Sequence, residues 1–166
     1  MAGFPPIAVR QPLPYDLVDL PVWITGVGTG FEGVFAARVR DANGVELAQT
    51  SIQAGGMGIW GNFSVALPLS VVPSTPHGTV EVYEASQSGD GSELGKVVVP
   101  VTFGVALLDP YHGFAQHTVV AGDTLSALAQ QWYGDASAFP RIFEANRHQL
   151  SNPNLIFPGQ VLRIPQ

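Results

Sequence analysis

The sequence predicts two domains: an all-β two-sheet sandwich over residues 1–103 and a small α+β module over 117–166, joined by a linker at 104–116. Three observations carry this division. Nineteen Gly and fourteen Pro punctuate the chain, and through its first two thirds they separate short runs of Val, Ile, Phe and Thr, the pattern of short strands joined by tight turns. Several of those runs alternate with period two. Beyond Gln116 the period changes: Leu125, Leu128, Ala129 and Trp132 recur at i, i+3, i+4 and i+7, which is one face of a helix.

Strands are expected at 7–9, 22–25, 34–40, 45–52, 63–67, 79–85 and 97–103. In the third, Phe35, Ala37 and Val39 face inward while Arg38 and Arg40 face solvent; Val80 and Val82 do the same against Glu81. Asp41-Ala42-Asn43-Gly44 marks a tight hairpin, because Asn-Gly tolerates the positive φ such turns need. Seven short strands in about a hundred residues fit an immunoglobulin-like sandwich with Greek-key connections.

In the second domain, Asp123 or Thr124 supplies the cap oxygen of a helix that ends near Gly134 and buries Trp132 with its apolar stripe. A second helix carries Pro140 in its first turn, where a missing N–H costs nothing, buries Ile142 and Phe143, and ends near Asn146. Strands at 117–120 and 160–164 flank the pair, giving the order strand, helix, helix, strand.

Composition narrows the function. Apolar residues make up 46% of the 166 and charged residues 12%, the balance of a folded chain. No run approaches the roughly 20 apolar residues of a membrane-spanning helix. A net charge of −6 repels a phosphate backbone, so nucleic acid is not an expected partner. Cysteine is absent, which removes disulfides, thiolate nucleophiles and Cys-rich zinc sites. His77, His112, His117 and His148 lack the i, i+4 pairing of a helical metal site, and no metal or cofactor is expected.

The stretch from His117 resembles the LysM domain over the length of one module. The likeness rests on Thr118-Val119-Val120, Gly122-Asp123-Thr124-Leu125, Ala129 with Trp132-Tyr133-Gly134, Ile142 with Asn146, Asn154-Leu155-Ile156, and Pro158-Gly159-Gln160-Val161-Leu162-Arg163-Ile164-Pro165. The resemblance implies a βααβ fold that binds N-acetylglucosamine-containing glycans, peptidoglycan or chitin, without cleaving them. It also implies the site, a shallow groove between Gly122, Asp123, Thr124 and Leu125 on one side and Asn152, Pro153, Asn154, Leu155 and Ile156 on the other. An N-acetyl sugar offers a methyl, an amide and apolar C–H faces, so backbone polar groups beside small apolar surfaces suit it. A single shallow site of this kind binds weakly.

Residues 7–103 resemble the immunoglobulin-like Gmad domain of bacterial spore-germination and envelope proteins. The segments that carry the likeness are Phe31-Glu32-Gly33, Arg38-Val39-Arg40-Asp41 through Gly44, and Gly78-Thr79-Val80-Glu81-Val82-Tyr83-Glu84-Ala85-Ser86 through Asp90-Gly91-Ser92. This implies a fold and an envelope context, and no site. Gly28-Thr29-Gly30-Phe31-Glu32-Gly33 satisfies a dinucleotide-binding pattern, but a strand rather than a helix follows it. Among the carboxylates, Asp123 reads as a cap or groove residue, Asp135 as a turn residue and Glu144 as a solvated helix residue, so no pair is expected to hydrolyse a glycan. Ser126 reads as a surface residue and Trp60 as the aromatic best placed to meet a partner.

The expected function is that of a non-enzymatic bacterial envelope protein whose module tethers an immunoglobulin-like interaction domain to peptidoglycan. No signal peptide is visible from Met1, so a cytoplasmic location stays open beside the envelope. Two alternatives stay open with it: a structural or assembly protein, and a cytoplasmic sensor, in both of which the module mediates protein contacts.

Overall fold

The computed structural model describes residues 6–166, so the first five residues of the expected sandwich domain lie outside the described residues. Two sheets face each other across the N-terminal core. In one, β3 (Val22–Gly30) pairs antiparallel with β1 (Ile7–Gln11) and β7 (Gly61–Leu67) and parallel with the two-residue β6 (Gly55–Gly56). The other holds five strands in the order β2 (Asp16–Val18), β9 (Glu93–Phe103), β8 (His77–Ala85), β4 (Val34–Asp41) and β5 (Glu46–Gln53). The immunoglobulin-like β-sandwich expected from the strand pattern is the architecture found.

Register explains the core. Val39 stands opposite Val80, which stands opposite Val99, and Ala37, Val82 and Val97 form the next row. These rows meet Ile24, Phe63 and Leu67 from the facing sheet around buried Phe35 and Phe103. Crowding by its own sheet neighbours, β1 and β7, explains why β3 carries glycine at 26. A Cβ on Gly26 would lie 2.4 Å from both the Ala8 carbonyl and the Phe63 ring. The glycine pattern at 28–33 is thus strand and turn, with β4 directly after it.

The 41–44 hairpin forms, by a different turn from the one Asn-Gly suggests. The Gly44 N–H donates to the Asp41 carbonyl, and among these residues only Gly44, at φ +81°, is left-handed. This is a type I turn closed by a glycine bulge at Gly44; the register shift between Val39 and Arg40 is a separate irregularity, at Leu47 of β5.

Arg38 and Glu81 correct the alternation argument. Both leave the core side of the sheet as expected, yet they are only 6% and 7% exposed. They are direct cross-strand neighbours, and the Arg38 guanidinium donates to Glu81, pairs with Glu93 at 2.9 Å and lies 4.8 Å from the Tyr83 ring centre. Lys96 closes the cluster at 3.0 Å from Glu81 and 2.9 Å from Glu93. Period-two patterning tells the two faces of a strand apart, but not whether charges on the outer face cover one another.

The segment 104–116 is structured. It contains the one-turn α1 (Gly104–Leu107), buried Leu107 and Tyr111, and the first residues of β10 (Phe114–Thr118). The Tyr111 ring packs so tightly on Gly104 that a Cβ there would come within 2.3 Å of it.

The C-terminal module has the expected βααβ order. β10 pairs antiparallel with β11 (Val161–Pro165), from Phe114 opposite Pro165 to Thr118 opposite Val161. Between them lie α2 (Leu125–Tyr133), a 3-10 turn at Ala136–Ala138 and α3 (Phe139–Ala145). Thr124 caps α2, its Oγ1 accepting the Ala127 N–H at 3.1 Å, and Gly134 ends it in the left-handed conformation at φ 73°. Leu125, Leu128, Ala129, Ile142, Leu150, Leu162 and Ile164 form the core. Trp132, expected there, is 37% exposed. Tyr133 joins the core edge instead, its hydroxyl donating to the Pro165 carbonyl at 3.1 Å, because the stripe continues from Ala129 at i+4 rather than from Leu125 at i+7.

The domains touch along a polar seam. His77 Nε2 lies 2.6 Å from Glu144 Oε2, Arg163 Nη1 donates to the Tyr15 carbonyl at 2.6 Å, and the Tyr15 and His148 rings stack at 6.1 Å. Glu144, read from the sequence as a solvated helix residue, is a domain contact.

Candidate functional site

The C-terminal module carries a small concavity at the N-terminal end of α2. Its first wall begins where β10 leaves the sheet. Val119 is buried and its N–H donates to the Gln160 carbonyl at 2.8 Å, which fixes where the turn starts. The chain then reverses through Val120–Asp123, with the Asp123 N–H donating to the Val120 carbonyl at 3.1 Å. Gly122 sits at φ +96° with nothing within 4 Å of a Cβ built on it. The demand for glycine there is conformational, not steric.

Asp123 Oδ2 accepts two hydrogen bonds, from the Val120 N–H at 2.9 Å and from His117 Nε2 at 2.8 Å. These donors, His117 foremost, hold the Asp123 carboxyl below the usual carboxylate range. The opposite wall is a second turn: Asn152 Oδ1 accepts the Asn154 N–H at 2.9 Å, and the Leu155 N–H donates to the Asn152 carbonyl at 3.1 Å.

Between the walls lies a cavity of about 180 Å³. Asp123, Thr124, Leu125 and Ser126 line one side, and Pro153, Asn154 and Ile156 the other, with Phe139 of α3 between them. Six of the nine sequence-predicted site residues are therefore brought together. Gly122, Asn152 and Leu155 stand outside the lining: the first two shape the turns, and Leu155 is exposed on the rim. Leu125, expected in the groove wall, is only 2% exposed and serves chiefly as core. Ser126 and Phe139 are additions the sequence reading missed. Nothing in one dimension marks Phe139, which arrives because the turn at 134–138 folds α3 back against α2.

Chemically the cavity offers hydroxyl, amide and backbone groups beside Phe139 and Ile156, with a single carboxylate and no lysine or arginine in its lining. It suits a neutral ligand presenting both hydrogen-bonding and apolar surface. At this size it admits one substituent or edge of a larger molecule. Glycoside hydrolysis by the usual route needs two carboxylates across the bond, and Asp123 is the sole carboxylate in the lining. Among the described residues no group of three or more His, Cys, Asp or Glu side chains is placed to hold a metal, and no helix is long and apolar enough to cross a membrane.

A second surface feature lies at the other end of the sandwich, beside Glu84 near the end of β8, whose carboxylate accepts the Phe31 N–H at 2.9 Å. There Phe31, Met57 and Ile59, all largely exposed, line an open apolar concavity of about 540 Å³. Trp60, singled out from the sequence, is exposed next to Ile59.

Fold and cavity together define a two-domain protein in which an immunoglobulin-like sandwich carries a LysM domain. Comparison with known families agrees. The family described as "Immunoglobulin-like domain of bacterial spore germination" matches residues 6–92, more than half of the chain, and the chain belongs to that family; the LysM domain family matches residues 117–165. Neither family's description names a catalytic activity.

Among individual proteins, the chain is similar to the potassium binding protein Kbp of Escherichia coli, at 41% identity over 95 residues, covering 50% of this chain and 64% of that protein. It also resembles an esterase of Mycobacterium tuberculosis, at 50% identity over 64 residues, covering 39% of this chain but 13% of the esterase. A Deinococcus radiodurans protein is 47% identical over 53 residues, 32% of this chain and 20% of that protein. The chain thus matches less than two thirds of the length of each of these relatives.

Proposed function

We propose that this protein binds N-acetylglucosamine-containing glycan, specifically peptidoglycan, through the groove between Gly122–Leu125 and Asn152–Ile156, and thereby holds its immunoglobulin-like domain at the bacterial cell envelope. The observation that carries the reading is the cavity itself. Two turns from a LysM-type module converge on a space that offers uncharged polar groups and apolar walls together. An acetamido group needs a donor, an acceptor and a dry surface for its methyl, and the lining supplies all three kinds of group.

Function on this reading is retention rather than turnover. One shallow site gives weak attachment to a short oligomer, and a repeating polymer raises the effective concentration of sites. The sandwich is then the cargo, with its apolar end turned away from the seam. Incubating the full chain with purified, insoluble peptidoglycan tests this. Co-sedimentation that soluble N-acetylglucosamine oligomers compete away is expected, and a chain left entirely in the supernatant, while a proven LysM protein sediments, would overturn the reading.

A second reading has one observation in its favour, the similarity to a protein named for potassium binding. On that reading the chain binds potassium. Potassium added against a sodium background would then shift a saturable set of amide resonances, and identical spectra in the two salts would remove it.

A further inference from the structure

The first wall of the groove is held from behind by a side chain outside its lining. His117 lies on β10, where its Cα partner in the sheet is Leu162, and it reaches across the Val119–Gly122 turn to Asp123. The two side chains are 20% and 19% exposed, so the contact is largely shielded from water. Both hydrogen bonds to Asp123 fall on one oxygen, Oδ2, at 2.8 Å from His117 Nε2 and 2.9 Å from the Val120 nitrogen. Among the described residues no protein donor reaches Oδ1, although Asp123 lines the groove.

An ionised carboxylate only accepts hydrogen bonds. The carboxyl of Asp123 is held below its usual range by His117 first and the Val120 N–H second, so it is ionised at neutral pH. The imidazole must therefore carry its hydrogen on Nε2, and the bond is charge-assisted, the stronger kind. It fixes the rotation of the carboxylate about its own axis. With Oδ2 committed to the protein, the acceptor left over is Oδ1.

Resting on the reading of this groove as a glycan site, we propose that His117 is its positioning residue: it clamps Oδ2 of Asp123 so that Oδ1 is presented as the acceptor for a hydroxyl or amide N–H of an N-acetylated sugar. The groove then selects a neutral sugar by its donors. A ligand edge bearing only acceptors, or a carboxylate, meets a fixed negative oxygen and is rejected.

The test compares the full chain with the variants H117L and H117Q, using a hexamer of N-acetylglucosamine followed by NMR. Leucine removes the donor. Glutamine can place an amide N–H near the position of Nε2. H117L is expected to bind the hexamer about tenfold more weakly, the effect of losing one charge-assisted hydrogen bond, and H117Q to recover to within about threefold of the parent. A pH series adds a readout that loss of packing would not move. Parent binding persists into the acid range because the Asp123 carboxyl stays ionised, whereas in H117L binding fails at higher pH, nearer the ordinary carboxylate range. Should H117L not fold, D123N in its place, which turns the free acceptor edge into a donor or unseats the clamp, is expected to weaken binding to a similar extent. Parent-like binding by folded H117L or D123N, or an H117Q no better than H117L, overturns the proposal while leaving the glycan site intact. Failure of the parent chain to bind the hexamer overturns the glycan reading itself, and the proposal with it.

Discussion

Asn146 and Arg163 are joined like two residues of a sheet, although only one of them lies in a strand. Asn146 Oδ1 accepts the Arg163 N–H at 2.9 Å and its Nδ2 donates to the Arg163 carbonyl at 2.8 Å, so the side-chain amide occupies the place of a third strand beside β11. Asn146 has no exposed surface and bonds also to the Ile142 carbonyl at 2.7 Å and to Gln149 at 3.2 Å. One side chain thereby ties the end of α3 to the last strand of the module.

Replacing Asn146 with leucine is expected to destabilise the C-terminal module by about 2–4 kcal/mol, since the backbone groups of Arg163 and Ile142 lose partners in a dry setting. Amide exchange of α3 and β11 measures this directly. Protection in the module should fall while the sandwich strands keep theirs.

The Arg38 cluster makes sandwich stability depend on pH. Burial opposes ionisation of Glu81, but the hydrogen bonds from Arg38 and Lys96 outweigh it and hold the carboxyl below its ordinary value; Lys96 does the same for Glu93. Folded-state values lying below the unfolded ones mean that the stabilisation is complete above about pH 4.5 and is lost as pH falls through the folded values. Thermal denaturation should show the melting temperature flat from pH 7 to 5 and falling below that. At pH 7 the R38L variant, which leaves Glu81 buried without its main partner, is expected to lose about 3–5 kcal/mol.

At the domain seam the expected energies are smaller. His77 and Glu144 are each about one third exposed, and partly solvated pairs of this kind contribute about 1 kcal/mol or less. E144Q should leave both domains folded and loosen their relative orientation, read as a change in residual dipolar couplings between the domains. Unchanged couplings would show that the Arg163 contact to the Tyr15 carbonyl and the Tyr15–His148 stack suffice to hold it.

In the groove, F139A removes an apolar surface that the cavity shares with the module core. It is expected to weaken binding of N-acetylglucosamine oligomers more than fivefold, at a stability cost of about 1–3 kcal/mol because Phe139 is only partly buried. G122A should cost about 1–2 kcal/mol, since alanine is strained at φ +96°. A binding isotherm alongside a melting curve separates the two effects.

Most of the architecture was legible in the sequence because two periodicities, 2 and 3.6, change over at one place, and because Thr124, Gly134, Pro140 and Gly44 act at the element ends where their local chemistry places them. Short pairings escaped. β2 and β6 have three and two residues, too few for any period, and they exist only because a neighbouring strand presents free backbone groups. Arg38, Glu81 and Glu144 read as solvated because a one-dimensional pattern does not contain their partners, which lie 43 residues apart in one pair and 67 in the other. The groove was half legible for the same reason. Its two turns announce themselves by Gly and Asn, whereas Phe139 and the hold of His117 on Asp123 come from packing.

The most direct measurement is an NMR titration of the full chain with N-acetylglucosamine oligomers of increasing length. Saturable amide shifts confined to Gly122–Ser126, Phe139 and Asn152–Ile156 are expected, tightening as the oligomer lengthens. A spectrum unchanged at millimolar hexamer, or shifts concentrated on the sandwich instead, would contradict the glycan reading.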